Sequence, residues 1–133
     1  MIVADTNTIA YLLIAGEHTQ QAKQALRKDP DWVAPLLWRS ELRSVIALFL
    51  RRGFVSLAQG LQLMEQAETL MHGREYEVTS SRVLSLVAAS QCSAYDCEFV
   101  ALAQELAVPL VTSDSKILCE FPCVAVSLED FVS

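Results

Sequence analysis

Glycine is scarce in these 133 residues, with only Gly16, Gly53, Gly60 and Gly73. None belongs to a G-x-G-x-x-G or G-x-x-x-x-G-K pattern, so the chain has no phosphate-cradling loop. Histidine is scarcer, with His18 and His72 alone. Neither sits beside a motif, and both read as surface residues. No serine or cysteine has an evident base partner that would make it a nucleophile. The four cysteines, Cys92, Cys97, Cys119 and Cys123, are spaced C-x4-C and C-x3-C. That spacing lacks the tight C-x2-C knuckle of structural zinc sites. No secretory context calls for a disulfide framework, so most of the four are expected as small buried hydrophobes. Long apolar runs are absent as well. The stretch from Val45 to Leu50 is bounded by Arg43 and by Arg51-Arg52, well short of a membrane span. No basic segment precedes the first apolar residues and no cleavage-site pattern follows, so no signal peptide is read and the expected location is cytoplasmic.

Basic side chains are outnumbered, 10 against 16 acidic, for a net charge of −6 and a pI near 4.8. Phosphate contacts dominate simple nucleic-acid binding, so a passive DNA- or RNA-binding module is disfavoured. An enzyme that gathers carboxylates around metal ions is not, because bound cations invert the local field.

What is present is apolar: 53% of the residues are hydrophobic and 20% charged, ample for one packed domain over residues 1–133. The surplus also points to a surface covered by a partner or a second copy. Strands are expected at 2–4, 32–34, 76–78, 108–112 and 123–126. Helices are expected at 6–15, 18–28, 36–52, 56–72, 80–90, 95–107, 115–119 and 128–132. Short apolar strands alternating with helices define an α/β class, a three-layer α/β/α sandwich with a mainly parallel sheet. Such sheets bind ligands just past the carboxyl ends of their strands. Asp5 follows the strand Ile2-Val3-Ala4, and Asp114 follows Leu110-Val111-Thr112-Ser113. Parallel neighbouring strands would bring both acids to one edge.

Two further acids occupy unusual places. Leu37, Glu41, Val45 and Leu48 fall on one line of the helix at 36–52, beside Trp38, Leu42, Ile46 and Phe49. Glu41 therefore lies in or beside an apolar face, where an unpaired carboxylate costs several kcal/mol or goes neutral. A cation or a hydrogen-bond network would compensate, as would an ordinary ion pair with Arg51 or Arg82. Asp96 follows Ser93 by three residues, a capping-box spacing. Each Asp has a capping explanation taken singly; four acids at matching places have a joint one.

These places resemble the PIN domain, and within it the stand-alone toxins of VapBC-type toxin–antitoxin pairs. The opening Ile2-Val3-Ala4-Asp5-Thr6-Asn7 is similar to the family's strand, Asp and small polar pair. Ser40-Glu41-Leu42 matches its Glu early in a helix after a Pro-containing connector. Asp96-Cys97-Glu98-Phe99-Val100-Ala101-Leu102-Ala103 matches D-x-x-[YF]-x-x-x-A, and Leu110-Val111-Thr112-Ser113-Asp114 matches the closing strand and T-x-D. The resemblance covers essentially the whole chain. Glu98 is not a place where the family needs an acid.

The resemblance implies a metal-dependent endoribonuclease that leaves 5′-phosphate and 3′-hydroxyl ends. Asp5, Glu41, Asp96 and Asp114 would be the catalytic metal carboxylates, suited to Mg²⁺ or Mn²⁺. Metal-activated water would remove the need for a histidine base. Thr6, Asn7 and Thr112 would orient the carboxylates through hydrogen bonds. Arg39, Arg43 and Lys116 are candidate RNA phosphate contacts, with ordinary solvated charges the alternative. The implied partners are an RNA substrate, a cognate antitoxin protein and a second copy of the chain, with no membrane. The helices at 36–52 and 56–72 are the expected homodimer surface and antitoxin groove. Two rival enzymes fit poorly. A haloacid-dehalogenase-type phosphatase wants a second Asp where Asn7 stands, and a receiver domain wants an acceptor Asp in mid-chain. The rival of another class is a non-catalytic PIN-like scaffold that only binds a partner.

Overall fold

The computed structural model describes all 133 residues. Strand β1 (Ile2–Ala4) leads into α1 (Thr6–Leu13) and α2 (Thr19–Lys28), then β2 (Trp32–Pro35), α3 (Trp38–Arg51) and α4 (Leu57–Leu70). Strand β3 (Glu75–Tyr76), α5 (Ser80–Ala88) and α6 (Ala94–Leu106) follow, then β4 (Leu110–Val111), α7 (Ser115–Glu120), β5 (Ala125–Val126) and α8 (Leu128–Val132). The five strands run in the order β3-β2-β1-β4-β5, with every pairing parallel. Val3 in the centre pairs with Val33 on one side and Leu110 on the other. Helices cover both faces, which is why β1 and β2 are apolar throughout and fully buried rather than alternating. The result is the α/β/α sandwich expected of the sequence.

The chain winds outward from β1 through β2 to β3, then returns through α5 and α6 to place β4 on the other flank of β1. That reversal makes the carboxyl ends of β1 and β4 a topological switch point, where the loops diverge and leave a crevice. Asp5 and Asp114 leave the sheet there. Helix α6 packs on β1, β2 and β4 and buries Cys97 and the run Phe99–Ala103. One core of 28 buried side chains runs from Ile2 to Leu128, with Trp32 and Trp38 its largest members.

Several strands are shorter than the sequence suggests. The segment at 108–112 contributes only Leu110 and Val111, because Ala107 ends α6 in the left-handed region (φ 55°) and the Val108 N–H closes onto Ala103 O at 3.0 Å. The segment at 123–126 contributes Ala125 and Val126, since Val124 N–H turns back to Phe121 O. The third strand lies at Glu75–Tyr76, ahead of the expected 76–78. Helix α3 begins at Trp38, because Leu36 N–H bonds to Tyr76 O and extends the pairing at the sheet edge. Of the cysteines, Cys92 and Cys97 are buried around the first turn of α6, whereas Cys119 and Cys123 are exposed; the expectation of burial holds for half of them.

Candidate metal centre

Asp5 stands immediately after β1 as the N-cap of α1. Its Oδ1 accepts from the Thr8 N–H at 2.9 Å and lies 2.9 Å from the Thr8 hydroxyl. Its Oδ2 accepts from the hydroxyl of Thr112, just past β4. The side chain is only 7% exposed. Burial pushes its pKa above the ordinary value, the hydrogen bonds from Thr112 and Thr8 pull it back, and the nearby Asp114 charge adds to the rise. Thr112 also serves the second acid, its Oγ1 accepting the Asp114 N–H at 3.0 Å. Asp114 in turn caps α7, its Oδ1 accepting from Ile117 N–H at 2.9 Å. One fully buried threonine therefore registers the two switch-point acids against each other.

Glu41 sits in the first turn of α3. Its Oε1 accepts from the Thr6 hydroxyl at 2.7 Å. No arginine pairs with it, since Arg82 engages Glu105 and Arg51 makes no ion pair. Burial raises its pKa most, opposed by the Thr6 hydrogen bond, and the charges of Asp5, Asp96 and Glu98 raise it further. The acids therefore sense one another. Asp96 occupies the third position of α6. Ser93 Oγ accepts the Asp96 N–H at 3.1 Å, but the reciprocal bond of a capping box does not form and the Asp96 carboxylate has no hydrogen-bond partner in the chain. The sequence signal for a cap thus describes Ser93, and the acid is left to face the cleft.

All four acids line one cleft of about 510 Å³. Thr6, Asn7, Ser40, Ser44 and Tyr95 supply its other polar groups, and Leu37, Val45, Phe99 and Ile117 its apolar part. No lysine or arginine is in the lining. Arg39, expected as a phosphate contact, is turned away: its guanidinium grips Glu75 with two bonds, 2.8 and 2.6 Å, and lies 3.5 Å from Glu68. Arg43 and Lys116 are exposed, outside the lining and free of ion pairs.

The donor set is all oxygen, crowded with like charge, and without a neutralising side chain, which fits a hard divalent cation. No three of the acids already converge on one ligating point. A cation that keeps several waters does not require that convergence. Sequence reasoning missed Thr8, Ser40, Ser44 and Tyr95. Thr8 had a signal, being three residues beyond a capping Asp; the others become visible only once α3 and α6 are brought face to face. His18, read as a plain surface residue, is partly covered, its ring tilted by 40° against Tyr11 with centroids 4.6 Å apart.

The fold is similar to FitAcB from Neisseria gonorrhoeae (TM-score 0.77, 18% identity, 97% of this chain and 99% of that one). It is similar to PAE2754 from Pyrobaculum aerophilum (TM-score 0.78, 16% identity, 98% and 92%). It also matches a toxin-antitoxin complex from Klebsiella pneumoniae (TM-score 0.70, 22% identity, 96% and 98%). No curated protein matches the sequence significantly. A PIN domain model matches residues 2–121, from β1 through α7 and across all four acids of the cleft, and the chain therefore belongs to the PIN domain family.

Proposed function

We propose that the chain is a metal-dependent endoribonuclease and the toxin half of a toxin–antitoxin pair. One observation carries the reading: Asp5, Glu41, Asp96 and Asp114, from four separate elements, line a single cleft that has no basic side chain. Membership of a family of nucleases supports it, as does likeness to a toxin-antitoxin complex. Asp5, Glu41, Asp96 and Asp114 would hold Mg²⁺ or Mn²⁺, directly or through water. When bound, the cation supplies Lewis acidity, making water a better nucleophile and offsetting charge that builds on the phosphodiester. The chain's own groups do the positioning. Thr112 and Thr8 fix Asp5, Thr6 fixes Glu41, and Asn7 stands free at the mouth. Arg43 and Lys116 are left for phosphates further along the strand.

An antitoxin would silence the enzyme, and a second copy of the chain would pair with it. Leu48, Phe54, Leu57 and Leu61 of the α3–α4 hairpin are exposed, in keeping with a covered surface on those helices. The same exposed apolar side chains suit one second reading, a PIN-like scaffold that binds a partner without catalysis.

The test is cleavage of a mixed RNA pool in Mn²⁺ or Mg²⁺, with EDTA in parallel and Asp96→Asn beside the wild type. Asp96 suits the test because its carboxylate holds up nothing else. Cleavage that needs the cation and disappears in a folded variant is the expected result. Equal cleavage by the variant refutes the site. No cleavage by either, with no thermal response to Mn²⁺, selects the scaffold.

A further inference from the structure

The acid cleft has no lysine or arginine in its lining, so an RNA strand gains from a second hold beside it. A cavity of about 340 Å³ adjoins the cleft and shares Asn7 and Val45 with it. Its lining is largely apolar, with Tyr11, Phe49 and His18 as its rings. Tyr11 and His18 already lie ring against ring, 4.6 Å between centroids and tilted by 40°. The Tyr11 hydroxyl lies 3.3 Å from Ser113 Oγ, which ties the platform to the loop that delivers Asp114. The Asn7 amide, exposed at the junction, has no partner in the chain. It offers a donor and an acceptor side by side, the pair that reads a base edge. Glu17 Oε1 lies 3.3 Å from His18 Nε2, and its charge disfavours a phosphate there while leaving a neutral ring unopposed.

We propose that this cavity is a nucleobase subsite: it takes a base flanking the bond to be cut, stacks it on the Tyr11–His18 pair and reads its edge with Asn7. The inference rests on the ribonuclease reading for its place in the reaction, but not for the binding event. Base–aromatic stacking tolerates every base because each has a π-face, so selectivity falls to Asn7. An acidic enzyme thereby holds an acidic substrate through cation and bases together.

The chain has only two histidines, His18 and His72, so their ring proton NMR signals report the cavity and an internal reference. The probes are adenosine, inosine, cytidine and uridine, which carry no phosphate and are added without metal. The expected result is a saturable upfield shift of the His18 signals with at least one nucleoside while His72 stays still. Phe49→Ala weakens that binding about tenfold. His18→Ala, whose side chain makes no cap bond to α2, cuts RNA more slowly and loses base preference at one position, with circular dichroism unchanged. His18 signals that ignore every nucleoside overturn the subsite even if RNA is cleaved. So does a His18 response to apolar peptides alone, or an unchanged cleavage pattern in His18→Ala. A nucleoside response without any RNA cleavage upholds the base cavity and sinks the ribonuclease reading instead.

Discussion

Glu41→Gln tests whether the cleft is strained by its own charge. The glutamine amide retains an acceptor for the Thr6 hydroxyl, which in the wild type lies 2.7 Å from Glu41 Oε1. The substitution removes one carboxylate from a group that includes Asp5, Asp96 and Glu98. Like charges about 6–8 Å apart repel by about 2–3 kcal/mol at an effective dielectric of about 20. Glu41 is half-buried, and solvent screening brings the expected gain down to about 1 kcal/mol. In a domain of this size that raises Tm by about 3–5 °C. The sign with pH follows from the direction of the shift. The folded pKa of Glu41 lies above its ordinary 4.5, so its stabilising, protonated form is complete below that value and lost as pH rises through the folded pKa. The advantage of the variant over wild type therefore grows as pH rises through the folded pKa and vanishes on acidification below about 4.5.

Cation binding supplies the second arm of the same assay. A hundredfold excess of Mn²⁺ over its dissociation constant stabilises the wild type by about 2.7 kcal/mol, about 10 °C in a thermal melt. Glu41→Gln, with one fewer anionic donor, shows less than half that response at the same concentration. A metal-free variant less stable than wild type would refute the strain argument, since Glu41 would then be an ordinary satisfied side chain. Equal Mn²⁺ responses would remove Glu41 from the site.

Thr112→Val empties the hydroxyl that serves both Asp5 and Asp114; it is expected to cost about 1–3 kcal/mol and most RNA cleavage, whereas Thr112→Ser keeps both, as melts and cleavage assays will show. Arg39→Met removes a grip on Glu75 from a partly exposed pair and costs about 0.5–1 kcal/mol with cleavage intact. Arg39 holds the Glu75 pKa below its ordinary 4.5, so that loss is full above that value and disappears as pH falls through the lowered one, readable in urea melts. Ala107→Gly relieves a left-handed backbone at φ 55° and raises stability by about 0.5–1 kcal/mol, readable as a higher urea midpoint.

The fold was legible because every strand but β3 (Glu75–Tyr76) is a short apolar run and because a parallel sheet buried on both faces needs such runs. Ends were less legible. Ala107 closes α6 without the glycine that marks such a turn, so the sequence reads as a strand from Val108 onward. Three of the four acids were visible as departures from pattern, Glu41 in an apolar line and Asp5 and Asp114 past strand ends; Asp96 stood out only through its match to D-x-x-[YF]-x-x-x-A. What supports them was not. Thr112 and Asp5 are 107 positions apart, and nothing local to either announces the other. Arg39 misled for the same reason, since Glu75, 36 residues away, claims it.

Capping and metal binding are usually weighed as rival explanations of an Asp, and in this cleft the metal-site proposal combines them to different degrees. A helix N-terminus favours the ionised carboxylate while burial disfavours it, so under the metal-site proposal a capping acid at the switch point is held in place and also gains from a cation. Asp5 lies at one extreme, with Thr8 and Thr112 both directed at it; Asp96 lies at the other, uncommitted. Asp5→Ala strips a cap and leaves the buried Thr112 hydroxyl without its acceptor, while Thr8 keeps Val111 O, and should lose about 2–3 kcal/mol. Asp96→Ala sets the loss of a favourable charge in the first turn against relief of its repulsion with Glu41, a net change within about 0.5 kcal/mol. Both should lose the thermal response to Mn²⁺. Thermal melts of the two variants with and without Mn²⁺ separate the roles. Equal stability losses would mean that Asp96 carries structural bonds absent from this arrangement, and a surviving Mn²⁺ response in Asp5→Ala would mean that the capping acid never reached the cation at all.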